Sequence, residues 1–431
     1  MTRRMAGLLN AHLPELGLEQ VSDPRSRWRR WSLPQVLQAV VVGLMAGCRG
    51  LGELESLSER LSVGARRLLR LPRRLPDTTA RDVVCRLKHG ELRSCLHRLV
   101  DAARRRKALE PKSLPFHVVA MDGKATALPS WDDVLVQRHT PETGAPYGLL
   151  RTVTCALVSA PGRPCIDAIP LPASTNEVGH FQAAFAELVA TYGDLFRLVT
   201  YDAGASSEAN GTAVVAARKD YAFRLRHEAR YMYRMAEQLC DGDDVAAETV
   251  DVLDNQTTAT RRLCIVPVER HWAYGKVADG PVKPSESIWS HTKTFLRIET
   301  VTRRGDEVVA REVRFWNSSL AHDALSPVQW LEALRSHWGV ENNNHHTLDT
   351  AFAEDERPWI TGEARGALAV LVLRRIAYTL LTLFRSVTQR SEEKRGMPWR
   401  RLLGWVRDTL VGITDYEVAG LRRRGLLAVT G

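Results

Sequence analysis

At 431 residues the chain exceeds one ordinary domain, and its 44% hydrophobic and 26% charged composition excludes a disordered or fibrous protein. Its seven scattered cysteines fall in no paired metal spacing, which excludes a disulfide scaffold or a zinc ribbon and reads as reduced thiols. The net charge of +10 is uneven: residues 1–110 carry 22 Lys+Arg against 11 Asp+Glu, the remainder 38 against 39.

A basic first quarter on a neutral body suits a polyanion. A basic helical surface without a partner is the plain alternative. The start, MTRRMAGLLN, has no long apolar run after its arginines, so a cytoplasmic protein without a signal peptide is expected. The apolar stretch 33–47 is too short to span a bilayer, and 366–384 carries Arg374 and Arg375, so both read as buried helices rather than membrane spans.

Residues 1–112 read as a helical, basic, DNA-binding domain. Apolar residues recur at helical spacing in Leu33, Val36, Leu37, Val40 and Val41, and again in Leu92, Cys95, Leu96 and Leu99. Arginines interleave them: Arg25, Arg27, Arg29 and Arg30, then Arg66, Arg67, Arg70, Arg73 and Arg74, then Arg104 to Arg106. The pattern changes at 116. Strands are predicted over 116–122, 151–160 and 165–171, a helix over 176–192, a strand over 195–202, a helix over 206–219 and a strand over 221–225. That order is the one found in a ribonuclease H-like core, assigned here to 113–228 and completed by 326–385. Between the two parts, 229–325 reads as a β-rich insertion with a hairpin turn at Arg303-Arg304-Gly305-Asp306. A helix is expected from 327 to 352, buried apolar helices to 384, and a helical tail over 386–431. The fold class is therefore mixed α/β.

Asp122 and Asp202 each close a predicted strand, and the first and fourth strands of such a core lie side by side. Glu341 is the natural third carboxylate. In Arg335-Ser-His-Trp-Gly-Val-Glu-Asn-Asn-Asn-His-His-Thr-Leu-Asp349, helical spacing puts His337, Glu341, His345 and Asp349 on one face. Carboxylates converging from separate elements suit two Mg²⁺ or Mn²⁺ ions, which prefer hard oxygen ligands and can serve both oxygens of a phosphodiester displacement. Taken singly, a strand-end aspartate is more often a turn or cap residue.

At these residues the chain resembles the bacterial insertion-sequence transposases of the H-repeat-associated kind. The matching pieces are Met121-Asp-Gly-Lys124, Asn176-Glu177, Tyr201-Asp-Ala203, Ser318-Ser-Leu320, His337-Trp-Gly-Val-Glu-Asn342 and Phe352-Ala-Glu-Asp355, within a likeness covering roughly residues 20–385. The resemblance implies metal-dependent cleavage at transposon ends and strand transfer into target DNA. It makes Asp122, Asp202 and Glu341 the metal-binding catalytic carboxylates, and implies a homodimer on double-stranded DNA. Lys124, Asn176 and Glu177 match auxiliary positions. Asn342 is expected to orient a ligand, Lys124, Arg335 and His337 to steady charge or phosphate, and Arg29, Arg30, Arg66, Arg67, Arg73 and Arg74 to contact DNA phosphate. The chain departs from the pattern at Ala125-Thr-Ala127, Asp202-Ala-Gly-Ala205, Arg226-His-Glu228, Asn344 and His346. Three alternatives stay open: a decayed relative that binds DNA without cutting it, a zinc hydrolase built on His337, His345 and His346 with Glu341, and a ribonuclease H-like nuclease for other nucleic acids.

Overall fold

In the computed structural model, which describes residues 2–26, 29–202, 204, 206–226, 230–242, 244–254, 256–268 and 288–423, the chain begins with a helical layer. Arg27, Ala203, Ala205, His227 and Glu228 lie outside the described residues. The layer comprises α1 (Thr2–His12), α2 (Leu33–Met45), α3 (Leu51–Arg60), α4 (Val63–Leu68), α5 (Asp77–Arg86) and α6 (His89–Arg105). Ser32 and Gln35 start α2 as a reciprocal capping box, with Pro34 in the first turn where no backbone donor is lost.

Then follow β1 (Val118–Leu128), β2 (Val136–His139), β3 (Tyr147–Leu157), β4 (Cys165–Pro170), α7 (Glu177–Tyr192), β5 (Leu198–Tyr201), α8 (Glu208–Ala216) and β6 (Asp220–Arg224). β3 lies antiparallel between β1 and β4, whereas β1, β5 and β6 run parallel. The order β4-β3-β1-β5-β6 is that of a ribonuclease H-like core.

Two local expectations change. Strand β1 does not stop at Asp122 but runs on to Leu128. Beyond Lys124 its side chains alternate between exposed and buried, the period of a strand with one covered face, and all of it pairs with β3. The short β2, unread in the sequence, pairs with β3 residues 147–150.

Residues 229–325 supply α9 (Arg230–Leu239) and strands β7 (Ala247–Val252), β8 (Thr257–Pro267), β9 (Thr294–Arg304) and β10 (Glu307–Ser318). These strands form no separate layer. β10 pairs with β6 from Trp316–Arg224 to Ser318–Ala222, so one ten-stranded sheet runs through core and insertion. Helix α9 buries Met232, Met235 and Ala236, and the turn after it Cys240, in a cluster with Phe295 and Phe315.

The expected helix over 327–352 is interrupted. α10 (Pro327–Ser336) gives way at His337 and Trp338, a π-turn covers Val340–His345, and α11 (His346–Thr350) resumes the α-helical winding. Gly339 lies at the change, where an added Cβ would approach the Arg163 side chain to 2.7 Å. The chain ends in α12 (Ala364–Leu383), α13 (Glu392–Arg395), α14 (Trp399–Gly412) and α15 (Asp415–Arg423).

Helix α12 is long and apolar enough to cross a membrane, yet every residue from Gly366 to Leu383 is buried inside the protein. It packs on α2, α5, α6 and β4, and a continuous apolar core joins the first helices, one sheet face and α14. On the other face, Trp330, Leu331 and Leu334 of α10 cover Leu296 and Trp316.

Helix and sheet are also tied by charge. Arg93 of α6 donates twice to Asp167 of β4, both at 2.8 Å. Burial would raise the Asp167 carboxyl, but the hydrogen bonds and charges of Arg93 and His97 hold it at about 2. The unfolded group titrates near 3.8, so this contribution is complete above that pH and is lost as the pH falls through about 2. Its size is about 2 kcal/mol. We expect Asp167→Asn to lower stability at neutral pH by that order and to remove this part of the acid dependence. Denaturant unfolding across the acid range measures both, and an unchanged slope would refute the assignment.

Candidate active site

The main-chain register fixes the first two carboxylates. The parallel pairing of β1 with β5 ends at Met121 and Tyr201, so Asp122 and Asp202 are the next residues on neighbouring strands. The β5–β6 pairing ends at Tyr201 and Phe223, which brings Arg224 beside Asp202 by the same logic. Arg224 and Arg226 donate to the two oxygens of Asp202 at 3.3 and 3.0 Å. His345 Nδ1 lies 3.3 Å from Asp122 Oδ2.

Glu341 enters from the π-turn. Its carboxyl is raised above the ordinary range, first by burial and then by the negative charges of Asp122 and Asp202. Glu177 is raised in the same way, by burial and then by Asp122. It stands in the first turn of α7, facing Gly123, where an added Cβ would come within 2.2 Å of all three carboxyl atoms. Gly123 is therefore glycine because the Glu177 carboxylate occupies the side-chain space. Four acidic groups share this end of the sheet, one more than the expected triad. Short π-turns are rare and gather at functional sites, because they re-aim side chains without ending the helix.

The remaining sequence candidates fall into different places. His337 is buried, with Nδ1 3.0 Å from Thr200 Oγ1, and burial pushes it down to about 4. It is neutral across the physiological range and packs edge-on against Trp316, so it neither faces phosphate nor offers a zinc ligand with His346, which is exposed. Lys124 is likewise not free for phosphate: its Nζ donates to Asp349 at 2.7 Å and Asp355 at 3.1 Å. Asn176 caps α7, its Oδ1 accepting from the Gly179 N–H at 2.8 Å. Arg335 is bound to Asp251 and Thr249 of β7, linking α10 to the insertion. Asn342 is exposed beside Glu341.

Among the described residues, Asp349, Glu354 and Asp355 bring carboxylate oxygens within 4.8 Å of one another, a spacing that Asp122, Asp202 and Glu341 do not meet. The tighter group already has cations from the protein itself, Lys124 on Asp349 and Asp355 and Arg375 on Glu354. The looser one holds hard oxygen donors from β1, β5 and the π-turn, the donor chemistry that Mg²⁺ or Mn²⁺ takes.

Arginines far apart in sequence also converge. Arg29, Arg30, Arg73 and Arg74 line one cavity of about 400 Å³ with Trp31. Arg73 lies over the Trp31 ring at 5.4 Å, while Arg29 is bound to Asp23 at 2.7 Å. Arg66 and Arg67 lie on α4 instead, with Arg67 on Asp415 at 3.1 Å.

No protein-family model and no curated protein matches this chain. Among solved structures, the cryo-EM structure of a piggyBac transposase synaptic complex with hairpin DNA aligns over 99% of this chain and 82% of that one, at 11% identity and a TM-score of 0.43.

The electrostatics of the site make a separate expectation. Asp122→Asn removes one charge from the cluster, so the Glu341 and Glu177 carboxyls fall toward the ordinary range. With divalent ions chelated, the variant should melt at a higher temperature than the wild-type chain. Carboxyl NMR titration and a thermal scan test this; unmoved titration curves would show that the four groups are not coupled.

Proposed function

We propose that this chain is a DDE transposase, an enzyme that cuts DNA at transposon ends and joins the freed 3′-hydroxyl to target DNA. Asp122, Asp202 and Glu341 are its metal-binding carboxylates. The observation that carries the reading is the register: Met121–Tyr201 pairing sets Asp122 and Asp202 side by side, and the π-turn brings Glu341 into their field.

Two Mg²⁺ or Mn²⁺ ions bound by these carboxylates would supply Lewis acidity to the attacking and leaving oxygens of a phosphodiester displacement. The protein's own part is positioning. His345 orients Asp122, Arg224 and Arg226 hold Asp202, and Glu177 adds negative charge that strengthens cation binding. Because the Glu341 and Glu177 carboxyls are raised, metal binding weakens on acidification before ordinary carboxylates protonate. Arg29, Arg30, Arg73 and Arg74 contact DNA phosphate, Arg66 and Arg67 extend that surface, and a homodimer forms on DNA. The finer assignment, to insertion-sequence transposases of the H-repeat-associated kind acting in a bacterial cytoplasm at the nucleoid, follows the motif resemblance. A second reading, a DNA-binding relative without catalysis, is favoured by one observation: two arginines occupy Asp202.

The decisive assay is strand transfer in vitro on DNA with the native flanking ends, in Mg²⁺ and in Mn²⁺. Joined products from the wild-type chain should fall by a factor of about 100 or more in Glu341→Gln, the scale of losing a group that acts in the transition state. Tight binding to those ends without cleavage by the wild-type chain would establish the second reading instead.

A further inference from the structure

Beside Glu341, between α10, the turn joining β3 to β4 and the strands of the insertion, lies a cavity of about 760 Å³. Its wall includes Arg163, Arg261, Arg314 and Arg335, together with Trp338. These arginines come from four different elements, so no single basic helix face explains them.

The wall also carries Glu312, Glu332 and Glu341, so what distinguishes its arginines is how they are paired rather than a surplus of positive charge. Arg261 and Arg335 share the one carboxylate of Asp251. Arg314 pairs with Glu312 at 2.5 Å and lies over the Trp338 ring at 4.2 Å, which fixes its plane. Arg163 is held by a neutral group, the Asn343 Oδ1 at 2.6 Å, and among the described residues no carboxylate lies within ion-pair distance of it. Burial, followed for Arg261 by the charge of Arg335, lowers the guanidinium pKa of both Arg163 and Arg261. Partly buried guanidiniums that crowd one another this way are stabilised by an incoming anion.

The backbone gives an independent sign. Arg163 has φ +56°, the left-handed region where a turn ordinarily takes glycine or asparagine. The preceding Gly162 already has φ +78°, so the turn spends a second left-handed position on an arginine. Gly339 in turn leaves the space into which the Arg163 side chain extends. A strained residue whose side chain is given room at a second element marks a position kept for what that side chain binds.

We propose that this cavity is a phosphate subsite for a nucleotide of the DNA strand that runs past Glu341. Arg163 and Arg335 take the phosphodiester oxygens, and Arg314, held flat on Trp338, closes the outer side. The volume exceeds that of a bare phosphate and suits a nucleotide. Planar guanidiniums match phosphate oxygens in pairs. The ligand class rests on the DNA-cutting reading above, but occupancy of the cavity does not require cleavage.

The test uses the full chain and a short fluorescently labelled single-stranded oligonucleotide, with anisotropy read over a range of salt and inorganic phosphate as competitor. Arg163→Gln and Arg335→Gln should each weaken binding about tenfold. Each should also lower the slope of log affinity against log salt by about 0.7, one phosphate contact on a single strand. Thr300→Glu, which adds a carboxylate to the cavity wall opposite Arg261 on the neighbouring strand while leaving all four arginines in place, should weaken binding as well. A thermal scan identifies any variant that fails to fold, and the other two then carry the test. Glu341→Gln should bind at least as tightly as wild type. Unchanged affinity and slope in the folded variants overturn the subsite, even if the wild-type chain cleaves DNA. Inorganic phosphate binding as tightly as the oligonucleotide would overturn the strand assignment in favour of a free-phosphate site. Arginine-dependent binding without any cleavage would leave the subsite standing and remove only the transposase reading.

Discussion

Like-charge repulsion at one end of β1 and β5 is the constraint around which the surrounding structure is arranged. The charges of Asp122 and Asp202 raise the proton affinity of Glu177 and Glu341, and no single contact neutralises all four. What holds them is main-chain hydrogen bonding of the strands that carry them. The β1–β5 ladder and the long β1–β3 pairing fix the two aspartates wherever their side chains would prefer to be. Local relief comes from His345 on Asp122, from two arginines on Asp202, and from the first turn of α7, where unpaired N–H groups favour a carboxylate. The fold thus gathers unrelieved negative charge at one point, the usual exchange of stability for function.

A chain of charges ties that cluster to the core. Arg375, inside α12, pairs with the buried Glu354, whose carboxyl burial would raise but which Arg375 and Arg374 hold low. The neighbouring Asp355 and Asp349 meet Lys124, two residues along β1 from Asp122. Removing one member of the buried pair would strand a charge in the interior at a cost of about 3–5 kcal/mol. Lys124 is thereby a brace between β1 and the segment after the π-turn, a different task from the phosphate contact its motif suggested.

The order of elements was legible because it is written in local periodicity: strand-like runs over 165–171 and 221–225 and helical spacing over 176–192 all emerge close to their predicted places. The adjacency of Asp122 and Asp202 followed from that order. Other features were illegible for physical reasons. A polar residue after an apolar run looks like a strand end, so the continuation of β1 through Lys124 and Thr126 was missed. The β6–β10 pairing joins residues almost a hundred positions apart, and periodicity says nothing about partners at that range. Histidine in a polar stretch gives no sign of burial, so His337 was read as facing a ligand when it lies under Trp316 against Thr200. Charge clusters were readable as basic, but not the meeting of Arg29 and Arg30 with Arg73 and Arg74, nor the cavity that Arg163 shares with three arginines of later elements.

The continuity of the sheet has a mechanical meaning. β9 and β10 run 11 and 12 residues and turn back at Gly305, an arm about 35 Å long whose base is hydrogen-bonded to β6. The ladder is interrupted once, by an irregularity between Val308 and Ala310 near the tip; from Ala310 to Ser318 the pairing is continuous, so that stretch and the core twist as one plate. Torque applied along that stretch is delivered through Trp316 to Arg224, and Arg224 holds Asp202. The paired part of the arm is a lever whose short end is the acidic cluster, and its stiffness carries load from the insertion to Asp202 and its neighbours.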